Sequence, residues 1–184
     1  MYEVEIKIEL TAKERENLIS EFKKRHFLFK GVTPQNNIYV EARKSPYGSY
    51  DIKRYRDEAG KFIYTEKIWE MIGNQQARKE NQYNVSEKKF KSIVAQFPKA
   101  LKITKEREWF DGTYKNKDIS ITIDSVKFDH SPETRYFIEA EIDVKDKNDV
   151  SKTRDLILDF FKDLLQKSSI VESPDMFTMA LEKK

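Results

Sequence analysis

Cysteine is absent from this 184-residue chain, and histidine occurs only twice. Without thiols there is no disulfide, no thiolate metal site and no cysteine nucleophile. His26 and His130 stand far apart and have no partners at metal-ligand spacing, so both are read as surface or turn residues. Glycine numbers five, and neither a Gly-rich phosphate loop nor a Ser/His/Asp pattern is present. No apolar run approaches the ~18 residues of a membrane span, and the N-terminus carries no basic-then-apolar leader. An excess of one charge sign is missing too. The 35 basic and 32 acidic residues leave +3, too little to argue for a nucleic-acid binder. The expectation is a cytoplasmic protein with no membrane partner.

What is present is charge, and it alternates with apolar residues. In YEVEIKIEL, Tyr2, Val4, Ile6, Ile8 and Leu10 interleave with Glu3, Glu5, Lys7 and Glu9. A period of two predicts a strand with one buried and one charged face. Thr11 and Glu14 then form a capping-box spacing, and Leu18, Ile19 and Phe22 give the following helix its apolar stripe. Residues 27–29 and 37–42 read as short strands, and RKSPYGS as a loop. Residues 50–56 and 61–69 read as strands joined by DEAG, IGNQQ as a turn, and 77–84 as a strand. Ser86 caps a short helix that Pro98 ends. Residues 101–110, 118–127 and 135–144 are three more strands, with DGTYKNK and KFDHSPET as their turns. A helix follows over about 149–166, with Leu156, Phe160, Leu164 and Leu165 inward. Ser173-Pro174 predicts a final short helix through Leu181. No repeat or linker is evident, so the expectation is one domain, 1–184. Many short antiparallel strands with helices between them indicate an α+β fold, with the sheet closed or nearly so.

One reading of the charged faces is that they are simply solvated. Two features argue against it. The charges come as same-sign i, i+2 pairs: Glu3/Glu5, Arg54/Arg56, Lys105/Arg107 and Glu139/Glu141. Like neighbours on a face repel, so a solvated face more often interleaves signs. The helices also need an apolar sheet face. If they cover the outside of a barrel, the charged faces line a cavity. Alternation alone leaves the phase of the Arg54 and Lys105 strands open. A cavity with acidic and basic walls suits a hard divalent cation on carboxylates and phosphate on arginine and lysine.

The motifs resemble those of the CYTH family, the triphosphate tunnel metalloenzymes. Glu3-x-Glu5-x-Lys7 resembles its N-terminal signature. In order follow Arg54-x-Arg56, Lys67 after the hairpin, Arg78-x-Glu80, Lys105-x-Arg107, Asp124, and Glu139-x-Glu141. Gln82 departs from the pattern, which often has a second glutamate there. The turn before the closing strand, SPETRY, lacks the usual glycine.

The resemblance implies an eight-stranded antiparallel closed β-barrel with helices outside, a triphosphate tunnel, and a reaction that needs Mg²⁺ or Mn²⁺. It implies metal on Glu3, Glu5, Glu139 and Glu141, with Asp124 and Glu80 assisting. It implies phosphate contacts from Lys7, Arg54, Arg56, Lys67, Arg78, Lys105 and Arg107. Glu3, Glu5, Lys7, Glu139 and Glu141 form the catalytic set. It implies as substrate a triphosphate-containing small molecule: inorganic tripolyphosphate, thiamine triphosphate or a nucleoside triphosphate. A nucleic acid enters only as an RNA 5′-triphosphate end. Hydrolysis is the favoured reaction because it needs no purine pocket. The alternatives are a class IV-type adenylyl cyclase and a non-catalytic polyphosphate or nucleotide sensor. The expected oligomeric state is monomer or homodimer.

Overall fold

The computed structural model describes residues 2–46, 50–72 and 75–181, with only the backbone described for 72 and 75–78. Its strands are β1 (Tyr2–Leu10), β2 (Leu28–Lys44), β3 (Tyr50–Glu58), β4 (Lys61–Ile72), β5 (Gln75–Asn84), β6 (Leu101–Tyr114), β7 (Lys117–Phe128) and β8 (Thr134–Val144). The helices are α1 (Ala12–Lys24), α2 (Glu87–Gln96), α3 (Val150–Leu165) and α4 (Met176–Leu181). The strands form one antiparallel sheet in the order β1-β8-β7-β6-β2-β3-β4-β5. The eight strands that the resemblance implies are present, and the nine segments read from the sequence reduce to eight because two of them belong to β2. The expected closure is not found among the described residues, because β1 and β5 are the two ends of that order. At the outer edge of β1, the Lys7 carbonyl accepts from the Ser173 N–H at 2.9 Å, so a return of the chain takes an edge acceptor that a closing strand would need.

The chain divides into two compact units. Unit 1 comprises Met1–Val32, Glu106–Val126 and Arg135–Pro174. Its core is the apolar face of β1, β7 and β8 under α1 and α3: Ile6, Ile121, Ile123, Ile138, Phe160 and Phe161 are all fully buried. Each such side chain contributes roughly 1.5–3 kcal/mol by leaving water. The predicted capping box is present. Thr11 Oγ1 accepts from the Glu14 N–H at 3.2 Å, and Glu14 Oε2 accepts from the Thr11 N–H at 2.8 Å. At the other end of α1, His26 takes a left-handed φ of 59°, and the Phe27 N–H reaches back to the Phe22 carbonyl at 2.9 Å, closing the helix.

Unit 2 comprises Thr33–Lys105, Lys127–Thr134 and Asp175–Lys184. Ala59 and Gly60, at φ 50° and 85°, make the two-residue turn between β3 and β4. Ser86 caps α2 as expected, and Phe90 packs on Phe62 with ring centroids 5.0 Å apart.

Several boundaries differ from those expected. β2 is one strand of 17 residues, not two short ones. Its second half pairs with β3 and it also borders β6, so the strand continues through Gly31 and Pro34, which lie between the two short strands expected. The seven-residue turn predicted over 111–117 shrinks to Lys115 and Asn116, at φ 46° and 63°, and the strands run on either side. The last helix starts at Met176. Asp175 Oδ1, not Ser173, accepts from the Thr178 N–H at 3.0 Å. This helix is also not on the apolar side of its unit. Phe177 lies 5.3 Å from both Tyr39 and Tyr50, and Tyr39 is directly opposite Arg54. α4 therefore meets the face that carries Arg54, where that face is aromatic. The predicted loop over 43–49 and the IGNQQ turn fall in part outside the described residues. No helix among the described residues is long and apolar enough to cross a membrane.

Gly112, in β6, supplies a stability test. A Cβ there would fall 1.9 Å from the Phe27 ring. Gly112→Ala should therefore destabilise by about 1–3 kcal/mol through overpacking. Urea denaturation should give a Gly112→Ala/Phe27→Ala double variant that loses much less than the sum of the two single losses.

Candidate functional site

In unit 1 the middle of the charged face is buried, and its ends at Glu3, Glu9 and Asp143 are exposed. Antiparallel register sets Lys7 opposite Glu139, Glu5 opposite Glu141 and Glu3 opposite Asp143. Lys7 Nζ reaches Glu139 at 2.6 Å and Glu5 at 3.4 Å. β6 is phased so that Arg107 joins this face while Phe110 joins the core. The Arg107 guanidinium grips Asp124 with two bonds of 2.7 Å and reaches Glu139 at 2.5 Å. Asp124 is fully buried, and Arg107 and Glu139 are each 9% exposed. Burial opposes the charge on Arg107. The carboxylates of Asp124 and Glu139 outweigh it and hold its pKa well above the ordinary value. Arg107 also lies 5.2 Å over the Trp109 ring.

The next two rows are different. Glu5 faces Glu141 and Glu3 faces Asp143, so like charges sit directly opposite, a destabilising arrangement. Burial, and then Glu5, Asp143 and Glu139, push the Glu141 carboxyl up to about 7, against a smaller pull from Arg107. This donor set fits a hard divalent cation: all oxygen, and rich in carboxylates. Among the described residues, however, no three acidic or histidine side chains are gathered as a coordination site. Lys7 and Arg107 hold the nearest oxygens.

In unit 2 the bases dominate one face of β3 and β4. Arg54 is 6% exposed and donates through Nη2 to Thr65 Oγ1 at 3.2 Å, while its Nε–H has no acceptor. Arg56 donates to Asn37 Oδ1 at 3.0 Å and Glu58 Oε2 at 2.9 Å. Lys67 pairs with Glu80, opposite it in β5, and Gln82 also donates to Glu80. Burial raises the pKa of Glu80, but Lys67 overcomes this and the carboxyl lies below the usual range. Lys105 is 8% exposed. The Arg78 backbone is in β5, and its side chain lies outside the described residues.

The expected residues thus fall into two sets, each described within its own unit. Glu5, Lys7, Arg107, Asp124, Glu139 and Glu141 share a face in unit 1, with Glu3 at its exposed end. Arg54, Arg56, Lys67 and Glu80 share a face in unit 2. Reasoning from the sequence missed Asp143, which faces Glu3, and the buried amides Gln35 and Asn37. The alternation of Gln35 and Asn37 was a signal, lost because the strand was not carried through Pro34. Arg135, in the closing strand, pairs with Glu9 through two bonds of 2.6 and 2.5 Å. His130 is in a turn as expected, but both ring nitrogens are buried without a partner.

No curated protein matches the sequence. Among solved structures, the PH1819 protein from Pyrococcus horikoshii OT3 is similar over the full length of both chains, at 19% identity and a TM-score of 0.69. A Hippeastrum protein, described as a putative adenylyl cyclase with a dominant triphosphatase activity, matches 100% of this chain and 97% of its own at 14% identity and a TM-score of 0.61. A putative adenylate cyclase from Bacillus halodurans matches 97% of this chain and 98% of its own at 16% identity, with the same TM-score of 0.61. At these identities the likeness is one of fold. The family model for the CYTH domain matches residues 1–172, and this chain belongs to the CYTH family.

Proposed function

We propose that this protein hydrolyses a triphosphate-bearing substrate in a reaction that depends on Mg²⁺ or Mn²⁺. The observation that carries the reading is the burial of charge. Arg54, Lys105, Arg107, Asp124 and Glu139 are each less than a tenth exposed. Buried ion pairs seldom stabilise a fold better than apolar residues of the same volume, so stability alone is a weak reason for them. Ligand chemistry is a better one. Membership of the CYTH family supports the same reading, as does the triphosphatase activity described for the Hippeastrum protein of like fold.

The roles follow from charge and donor geometry. Lys7, Arg54, Arg56, Lys67, Arg78, Lys105 and Arg107 bind phosphate oxygens and neutralise charge as the terminal P–O bond breaks. Glu3, Glu5, Glu139 and Glu141, with Asp124 and Glu80, would hold the divalent ion. That ion supplies a Lewis acid for the phosphoryl group or its attacking water. Water adds to the terminal phosphorus and the remaining diphosphate leaves. Lys7 and Arg107 hold Glu139 in place while phosphate is bound or released.

Three measurements check this. Incubation with tripolyphosphate, thiamine triphosphate and ATP should release phosphate only with added Mg²⁺ or Mn²⁺. Activity should stop in excess chelator. Cyclic AMP and pyrophosphate from ATP would instead favour a cyclase, and tight binding without turnover a sensor.

Arg54→Met keeps the apolar stem and removes the guanidinium with its unpaired donor. It should weaken metal-free tripolyphosphate binding by about 30- to 150-fold, the equivalent of roughly 2–3 kcal/mol. A change under threefold would remove Arg54 from the phosphate contacts.

Glu141→Gln removes one of the facing carboxylates. A carboxyl whose folded pKa is raised binds its proton more tightly folded than unfolded. Its penalty is absent at acidic pH and grows as pH rises from the ordinary carboxyl range through about 7. In chelator, Glu141→Gln should therefore melt several degrees above the parent at pH 8 and equal to it at pH 4.5, while metal-dependent turnover falls. A lower melting temperature at pH 8 would show that Glu141 is not held against its neighbours' charge.

A further inference from the structure

Gln35 lies in β2 near the turn that joins β3 and β4. It is 1% exposed and opposite Glu58. Its Nε2 donates to Glu58 Oε2 at 2.8 Å. An ionised carboxylate only accepts, so the amide orientation is dictated: nitrogen toward Glu58, oxygen away. The bonds around it leave no freedom to flip. Arg56 donates to the same Glu58 oxygen at 2.9 Å and to Asn37 Oδ1 at 3.0 Å, and Asn37 Nδ2 donates to the Ile103 carbonyl at 3.2 Å. Each link has one chemically allowed direction. At the end of the chain Gln35 Oε1 is buried and accepts nothing. A buried acceptor with no donor is costly.

The same face holds a second unsatisfied group of opposite need. Arg54 is opposite Tyr39, four residues from Gln35 along β2, and its buried Nε–H has no acceptor. Four residues of strand span about 13 Å. The face therefore seeks an anion at one point and a hydrogen-bond donor about 13 Å further along.

We infer that Gln35 Oε1 accepts a hydrogen bond from the organic part of the substrate, which makes the substrate an organic triphosphate ester, not inorganic tripolyphosphate. This rests on the triphosphate reading above. Ionised tripolyphosphate has acceptors only and offers Gln35 nothing. A nucleoside's exocyclic amine or ribose hydroxyl supplies the donor, as does the aminopyrimidine amine of thiamine. Gln35 is in this sense a specificity residue. A buried polar group left unpaired by the wrong ligand discriminates strongly.

Calorimetric titration in excess chelator reads binding without turnover. The parent and Gln35→Met are each titrated with tripolyphosphate, ATP and thiamine triphosphate. The affinity of one organic ester relative to tripolyphosphate should fall about tenfold or more in Gln35→Met. A response of ATP identifies a nucleoside ester, and a response of thiamine triphosphate a thiamine ester. An unchanged ratio for both esters, or a parallel loss for all three ligands, overturns the inference.

A second series uses the parent protein alone, so it does not depend on the variant folding. Purine riboside triphosphate lacks the exocyclic amine, 2′,3′-dideoxy-ATP the ribose hydroxyls, and oxythiamine triphosphate the pyrimidine amine. One of these should bind about tenfold more weakly than its parent ligand. Binding of all three within twofold of their parents overturns the inference. The two readings fail differently. Loss of all triphosphate binding sinks the proposed function and this inference together. Triphosphate binding and hydrolysis that persist while neither organic ester responds to Gln35 sink this inference alone.

Discussion

The bidentate contact between Arg107 and Asp124 is the constraint around which the charged face of unit 1 is arranged. Asp124 is fully buried, and the guanidinium meets its carboxylate with two parallel hydrogen bonds. The same guanidinium extends to Glu139, and Glu139 in turn holds Lys7. Three strands beside β6 are thereby keyed together through side chains. The opposite face of those strands is an aliphatic and aromatic core under two helices. The sheet is thus two-sided: one side follows the hydrophobic effect, and the other depends on pairing every charge it buries.

Bases face acids in one row of that face, and acids face acids in the next two. Lys7 and Arg107 balance Glu139 and Asp124. One and two rows beyond, Glu141 meets Glu5 and Asp143 meets Glu3 with no base between them in the register. Repulsion between facing carboxylates is a standing cost that pairing with a cation would offset. Unit 2 shows the complementary imbalance. Its buried Arg54 has an Nε–H without an acceptor.

Much of this was legible in the sequence for local reasons. The alternation of Glu3, Glu5 and Lys7 with Val4, Ile6 and Ile8 dictates the two faces of β1 through the period of the pleat. Thr11 with Glu14, and Ser86 before Glu87, mark helix starts because their side chains satisfy backbone donors nearby. Where local signals were weak, boundaries were lost. β2 runs through Gly31, Thr33 and Pro34 because neighbouring strands hydrogen-bond along it. The β6–β7 turn narrows to Lys115 and Asn116 because strand pairing extends into residues of low strand preference.

By itself, then, the sequence determined which residues carry charge, their spacing along each strand, and the order of motifs that marks a CYTH chain. These follow from composition and from the two-residue period, which need no partner. Tertiary structure alone decided the rest. Lys105 and Arg107 share a strand with Glu106 and Glu108, and alternation treats the two phases alike. The phase was set by Phe110, which packs against Phe22 in the core at a centroid distance of 4.7 Å and so turns Arg107 toward Asp124. Which carboxylates face a base and which face each other was likewise decided by cross-strand register, since Glu5 and Glu141 are 136 positions apart in the chain. Register is a property of two strands, and no single strand encodes it.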